Sequence, residues 1–257
     1  LRAPPVLKSR RRARDAAPVP PAITATDLPA SMSPTGPYRI AMVCTGNICR
    51  SAMARVVLID RLTAAGVPDD GVDGVAVTSS GVSDEEHGNP MDRRARRILA
   101  DHGYGRGSDD VARAVSRAIA AHRAHRISDA ELADSDLILA MTSRHRDALL
   151  RRADRLGLGD GPAPGDGPDA ETGRIRLFRE FDPAAVEFAA GRGAPPPAAL
   201  DVPDPWYGTM EDFAATLEVV ERVSDALAPA LVELAAERSQ TLTRAQAPGR
   251  AARPASR

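Results

Sequence analysis

The stretch Tyr38-Arg39-Ile40-Ala41-Met42-Val43-Cys44-Thr45-Gly46-Asn47-Ile48-Cys49-Arg50-Ser51 decides the fold. Its first half is a near-continuous apolar run, the mark of a strand buried on both faces of a parallel sheet. A helical pattern follows from about Ser51 to Gly66, burying Met53, Val56 and Val57. Gly46 and Asn47, between the two, are residue types that tolerate the left-handed backbone a curled loop needs. A strand, a short loop and a helix N-terminus make an anion site, because backbone N–H groups converge there and the helix dipole adds positive potential. Arg50 offers a planar fork of donors matched to two oxygens of a tetrahedral phosphate. Cys44 stands at the opening of this cradle. A helix N-terminus and a nearby cation favour the thiolate, so Cys44 is expected to act as a nucleophile beside an oxyanion clamp. Ser51 can donate a further hydrogen bond to the anion. A cysteine and an arginine at this spacing recur by chance; the strand before them, the Gly-Asn between them and the helix after them give the spacing its meaning.

Outward from this stretch, apolar strands alternate with helical segments, which predicts an α/β fold with a parallel sheet. The strands are expected at Tyr38–Val43, Val75–Ser79, Leu137–Met141 and Ile175–Phe178, with helices near Ser51–Gly66, Asp92–His102, Asp129–Ala133 and Ser143–Arg155. Helical periodicity is clearest in Phe213, Leu217, Val220, Leu227, Leu231 and Leu234, with Pro229 expected to kink or shorten that helix. The folded unit is expected over 38–237. Residues 1–37, rich in proline, alanine and arginine, and residues 238–257 are expected to be disordered tails. Met32 stands just before the folded region, and a start there is one reading of the stretch ahead of it. Three segments read as insertions: 105–121, with a short amphipathic helix (Val111, Val115, Ile119), and the glycine- and proline-rich 157–173 and 189–199, expected as surface loops.

Composition bounds the function. Of 257 residues 43% are hydrophobic, enough for a real core, and 34 basic against 35 acidic side chains give a net charge of −1. Nucleic-acid and membrane-surface binding both need uncompensated basic charge, so neither is expected. No stretch is long and apolar enough to span a bilayer, and no apolar signal core follows the basic N-terminus, so a cytoplasmic protein is expected. Cys44 and Cys49 are the only cysteines, too few for a disulfide scaffold or a four-cysteine zinc site. No metal and no cofactor are called for.

A nucleophile that expels an alcohol or phenol also needs a proton donor for the leaving oxygen. The best candidate lies far downstream, in Asp201-Val202-Pro203-Asp204-Pro205-Trp206-Tyr207-Gly208. Prolines stiffen the chain around Asp204, and Trp206 and Tyr207 offer aromatic walls for a flat substrate ring.

Val43–Ser51 together with Asp201–Gly208 resembles the low-molecular-weight protein tyrosine phosphatases. The resemblance extends through Ser79-Ser80-Gly81, Gly88-Asn89-Pro90-Met91-Asp92, His122-Arg123-Ala124 and Asp136–Met141, and spans about Tyr38 to Glu237. It implies a small doubly wound, Rossmann-like fold with a four-stranded parallel sheet and helices on both faces. It also implies hydrolysis of phosphotyrosine in protein substrates through a phosphocysteine, without a metal, by a monomer or weak dimer. Carried over residue by residue, Cys44 is the nucleophile, Arg50 the phosphate clamp and Asp204 the general acid and base. Thr45, Gly46, Asn47, Ile48, Cys49 and Ser51 line the substrate with Trp206 and Tyr207, while Ser79 and His122 support the loop. Cys49 matches a second loop cysteine that in relatives forms a reversible disulfide with the nucleophile, consistent with trapping of its sulfenic acid.

The chain also departs from the family pattern. Glu85 stands where many relatives carry an aromatic residue lining the cleft, and an acidic group there disfavours acidic peptides. Where the family often reads His-x-Ala-Arg from His122, this chain has His125 followed by Arg126. Arsenate reductases of this fold need further cysteines. Arginine phosphatases of this fold tend to carry Thr where this chain has Ile48. A phosphotyrosine-binding or redox-sensing module without turnover would be expected to have lost the nucleophile, clamp or acid, and all three are present.

Overall fold

The computed structural model describes residues 23–158, 173–185 and 196–246. Four parallel strands form one sheet: β1 (Tyr38–Cys44), β2 (Val75–Gly81), β3 (Leu137–Ala140) and β4 (Ile175–Leu177), in the order β2-β1-β3-β4. Register pairs Cys44 with Gly81 on one side of β1 and Val43 with Ala140 on the other. β1 is thus central. The chain winds from β1 to one side and then returns to the other, so ligands are expected in the crevice at the carboxyl ends of β1 and β3.

The helices are α1 (Arg50–Ala64), α2 (Arg93–Asp101), α3 (Asp110–Ala121), α4 (Asp129–Asp134), α5 (Ser143–Leu156) and α6 (Met210–Gln246). Side chains alternate across β1. Ile40, Met42 and Cys44 join the core under α1, α2, α3 and α6, whereas Ala41 and Val43 join the smaller core under α4 and α5. The apolar run of β1 is explained by this double burial, not by chance composition. The periodic residues of α6 from Phe213 to Leu234 are all buried, each worth roughly 1.5–3 kcal/mol relative to exposure.

The structure moves three of the sequence-based boundaries. Residues 23–37, expected in a tail, pack on the core: Ala25 and Leu28 are buried, Ala25 N–H donates to Glu233 (3.0 Å), and Met32 N–H donates to Asp136 (2.6 Å). Average composition hid this, because two buried apolar residues and a few long-range hydrogen bonds suffice to anchor a short strap. At the other end, α6 runs through Pro229 to Gln246, past the expected boundary at 237. Arg238 on that extension donates to the carbonyls of Ser33 and Gly36, so the two ends brace each other. Third, the helix in 105–121 is α3, with Val115 and Ala118 buried in the main core; it is a layer of the fold. Most of 157–173 and residues 189–195 lie outside the described residues, as do 1–22 and 247–257.

Candidate active site

Cys44 ends β1 and Arg50 opens α1, so the loop 45–49 closes over the carboxyl end of the sheet. Asn47, at φ 60°, is the one non-glycine residue with a left-handed backbone among the described residues. Its amide is buried. In the orientation that satisfies both ends, Asn47 Oδ1 accepts from Ser51 Oγ (3.0 Å), Ser79 Oγ (3.0 Å) and Ser80 N–H (3.3 Å), and Nδ2 donates to the Ser79 carbonyl (3.1 Å). His122 Nε2 donates to the Asn47 carbonyl at 2.7 Å. Burial pushes the His122 pKa down to about 4, so the ring is a neutral donor at physiological pH. Ser79 and His122 thus both contact Asn47 of the loop. Gly46 is not left-handed, contrary to expectation; a Cβ there would lie 2.9 Å from Glu86 Cγ, so any larger residue would have to shift that side chain.

Ser51 Oγ lies 3.0 Å from Cys44 Sγ. Arg50, 4% exposed, reaches from the helix to the far side of the loop. Its Nη1 donates to the Val202 carbonyl (3.2 Å), and its Nη2 to Thr45 Oγ1 (3.3 Å) and to Asp204 Oδ2 (2.6 Å). Arg50 Nε is buried with no partner. Nε and Nη2 share one edge of a guanidinium, so the edge that grips a tetrahedral oxyanion in bidentate fashion has one donor unspent and one lent to a carboxylate. Asp204 Oδ1 accepts from Trp206 N–H (3.2 Å), which fixes the carboxylate's direction.

The pocket, about 160 Å³, is lined by Cys44, Thr45, Cys49, Arg50, Asp204 and Trp206 among others; Gly46, Ile48 and Tyr207 also reach it. Tyr207 is almost wholly exposed. A larger groove of about 550 Å³ between α1, α3 and the β2 edge is lined by no cysteine, so chemistry and not size selects the site. The Cys49 thiol is pushed well up, first by burial and then by the Asp92 carboxylate, and stays protonated. No group of three or more His, Cys, Asp or Glu among the described residues could hold a metal ion.

This geometry coincides with a recognised sequence family. Residues 39–158 match the family model described as low molecular weight phosphotyrosine protein phosphatase. A low molecular weight protein-tyrosine-phosphatase of Streptomyces coelicolor is 34% identical over 196 residues, 76% of this chain and 94% of the relative. The chain belongs to the low-molecular-weight phosphotyrosine protein phosphatase family. A protein-arginine-phosphatase of Geobacillus stearothermophilus is 28% identical over 195 residues, 76% of this chain and 97% of that one. The solved structure of a protein tyrosine phosphatase from Entamoeba histolytica shares the fold, with a TM-score of 0.52 at 20% identity over 76% of this chain and 97% of that one.

Three neighbours of the phosphatase loop escaped the sequence reading. Glu86 packs on Gly46 and accepts from Asn89 Nδ2 (2.7 Å), so two carboxylates, Glu85 and Glu86, line the pocket where one was expected. Arg94 on α2 lies over the Trp206 ring (5.4 Å) and the Phe213 ring (4.6 Å) and donates to the Gly208 carbonyl (3.2 Å). His145, in the first turn of α5, meets Thr45 Oγ1 through Nε2 at 2.9 Å. The available signal for His145 was positional: the first turn after β3 lies beside the carboxyl end of β1. His125, in the departure from the family pattern, pairs with Glu131 (2.9 Å).

Proposed function

We propose that the chain is a protein tyrosine phosphatase acting through Cys44, Arg50 and Asp204. The supporting observation is Arg50, whose one guanidinium edge joins an unspent buried Nε–H to an Nη2 that holds Asp204, beside Cys44. An incoming phosphoryl dianion competes with Asp204 for that edge and displaces it toward the leaving oxygen, where the carboxylate, no longer paired with Arg50, takes up a proton from solvent. Cys44 sulfur attacks phosphorus, the phosphorus–phenol oxygen bond breaks, and Asp204 gives its proton to the departing phenol. Asp204 then takes a proton from water as the water oxygen attacks phosphorus; the sulfur–phosphorus bond breaks, releasing inorganic phosphate and restoring both groups. Backbone N–H groups of the loop and Arg50 stabilise the equatorial charge at each step. Cys49, Ile48 and Trp206 shape the pocket around the ring, and the substrates are phosphotyrosine-bearing proteins.

Hydrolysis of p-nitrophenyl phosphate by wild type, Cys44→Ser and Asp204→Ala tests this. Cys44→Ser should lose turnover to background, and Asp204→Ala should lose roughly 10²-fold or more in kcat with KM little changed. Turnover that survives in Cys44→Ser overturns the mechanism.

A second reading, phosphoarginine hydrolysis, is favoured by the Glu85 and Glu86 carboxylates, which suit a cationic guanidino group at the mouth. Ile48, bulky and apolar on the same wall, favours a phenyl ring. The tyrosine reading expects kcat/KM for a phosphotyrosine peptide at least tenfold above that for the phosphoarginine analogue, and basic residues flanking the phosphotyrosine to be preferred over acidic ones.

A further inference from the structure

His145 is 6% exposed and sits in the first turn of α5, where the Thr142 side chain caps its N–H (3.2 Å). Its Nε2 lies 2.9 Å from Thr45 Oγ1, and its Nδ1 is buried with no partner. The charged groups acting on the ring are Arg50, Asp204 and Asp201; burial first, and Arg50 second, push its pKa down to about 4. The neutral ring carries one N–H. On Nδ1, that hydrogen would be a buried donor with no acceptor; on Nε2, only a lone pair is left unpaired, which native interiors tolerate better. His145 Nε2–H therefore donates to Thr45 Oγ1. Arg50 Nη2, which can only donate, uses the second lone pair of the same oxygen at 3.3 Å. With both lone pairs taken, the Thr45 hydrogen is turned away from both donors, and Thr45 borders the pocket together with Cys44 and Asp204.

We propose that His145 is a positioning residue that turns the Thr45 hydroxyl into the pocket as a donor to a phosphoryl oxygen of the substrate. The loop's backbone N–H groups and Arg50 are thereby joined by one side-chain donor of the same loop, oriented by a residue of α5. The assignment rests on reading the 44–50 loop as the phosphate site.

The test is competitive inhibition of p-nitrophenyl phosphate hydrolysis by inorganic phosphate, with kcat and KM measured alongside. Thr45→Val, equal in shape but without the hydroxyl, should raise the phosphate inhibition constant about tenfold, as expected for loss of one charge-assisted hydrogen bond. Thr45→Ser should stay within twofold of wild type. His145→Phe should match Thr45→Val, His145→Gln should recover most of the loss, and Thr45→Val/His145→Phe should be no worse than either single variant, because the pair acts as one unit. A Thr45→Val constant within twofold of wild type, or losses that multiply in the double variant, overturns the proposal. Should His145→Phe fail to fold, the Thr45→Val and Thr45→Ser comparison decides alone. Arg50→Ala separates the two levels through direct phosphate binding measured by calorimetry: binding that persists in Arg50→Ala refutes the phosphate reading of the loop itself, whereas its loss there with an unchanged Thr45→Val refutes only the role of His145.

Discussion

Asn47 holds φ at 60° while its buried amide satisfies Ser51, Ser79 and Ser80, so one side chain sets both the curl of the loop and its attachment to β2. Replacing it separates the two roles. Asn47→Ala leaves buried serine groups unpaired and forces a Cβ without a compensating side chain into the left-handed region, a combined cost of about 2–4 kcal/mol. Asn47→Gly removes the amide but tolerates the backbone, and should cost measurably less in urea unfolding. Both variants should lose phosphatase activity, because the loop N–H groups no longer converge. If Ala and Gly destabilise equally, the left-handed backbone contributes nothing and the amide alone holds the loop. A sequence reader sees that Asn belongs in such a loop; its three serine partners come from two segments, β2 and α1, that only folding brings together.

At the scale of elements, the acid segment 201–208 has no regular structure of its own and is held by its neighbours. Arg50 of α1 bonds the Val202 carbonyl, Asp201 accepts from Ser143 N–H at the start of α5 (2.6 Å), and Arg94 of α2 clasps Gly208 and the Trp206 ring. Arg94 is itself fixed by Asp92, the N-cap of α2. Arg94→Ala is expected to loosen the Asp204 segment while leaving the core intact. The expected result is a kcat/KM lower by about tenfold, the worth of one hydrogen bond and a cation–π contact, with little change in melting temperature. Because the effect acts through the acid, phenyl phosphate, whose leaving group needs its proton more, should suffer a larger loss than p-nitrophenyl phosphate. Equal losses on the two substrates would show that Arg94 acts on binding instead. No local pattern announces Arg94, which lies on a helix crowded with arginine.

For the whole molecule, acid sensitivity follows from imidazoles buried without charge. Burial holds the His122 and His145 pKa values at about 4, below the ordinary 6.5, so the unfolded chain binds more protons between those values. Their stabilisation is complete above pH 6.5 and is lost as pH falls toward 4. His125, paired with Glu131, is shifted upward and acts in the opposite sense. Between pH 7.5 and 5.0, His122 alone accounts for up to about 2 kcal/mol. Urea unfolding at the two pH values should show that drop in wild type and a smaller one in His122→Gln; an identical drop would exclude His122 as its source. The sequence alone determined the α/β layering, the strand buried on both faces and the loop that joins Cys44 to Arg50, because period, turn residues and the Cys44–Arg50 spacing are local properties that a chain carries before it folds. Tertiary structure alone decided that residues 23–37 belong to the folded unit, that α6 continues to Gln246, that Glu86 lines the pocket, and that Arg94 and His145 meet the residues that do. Those facts depend on which distant surfaces meet once the sheet and its helices close, and no spacing along the chain encodes a contact made across it.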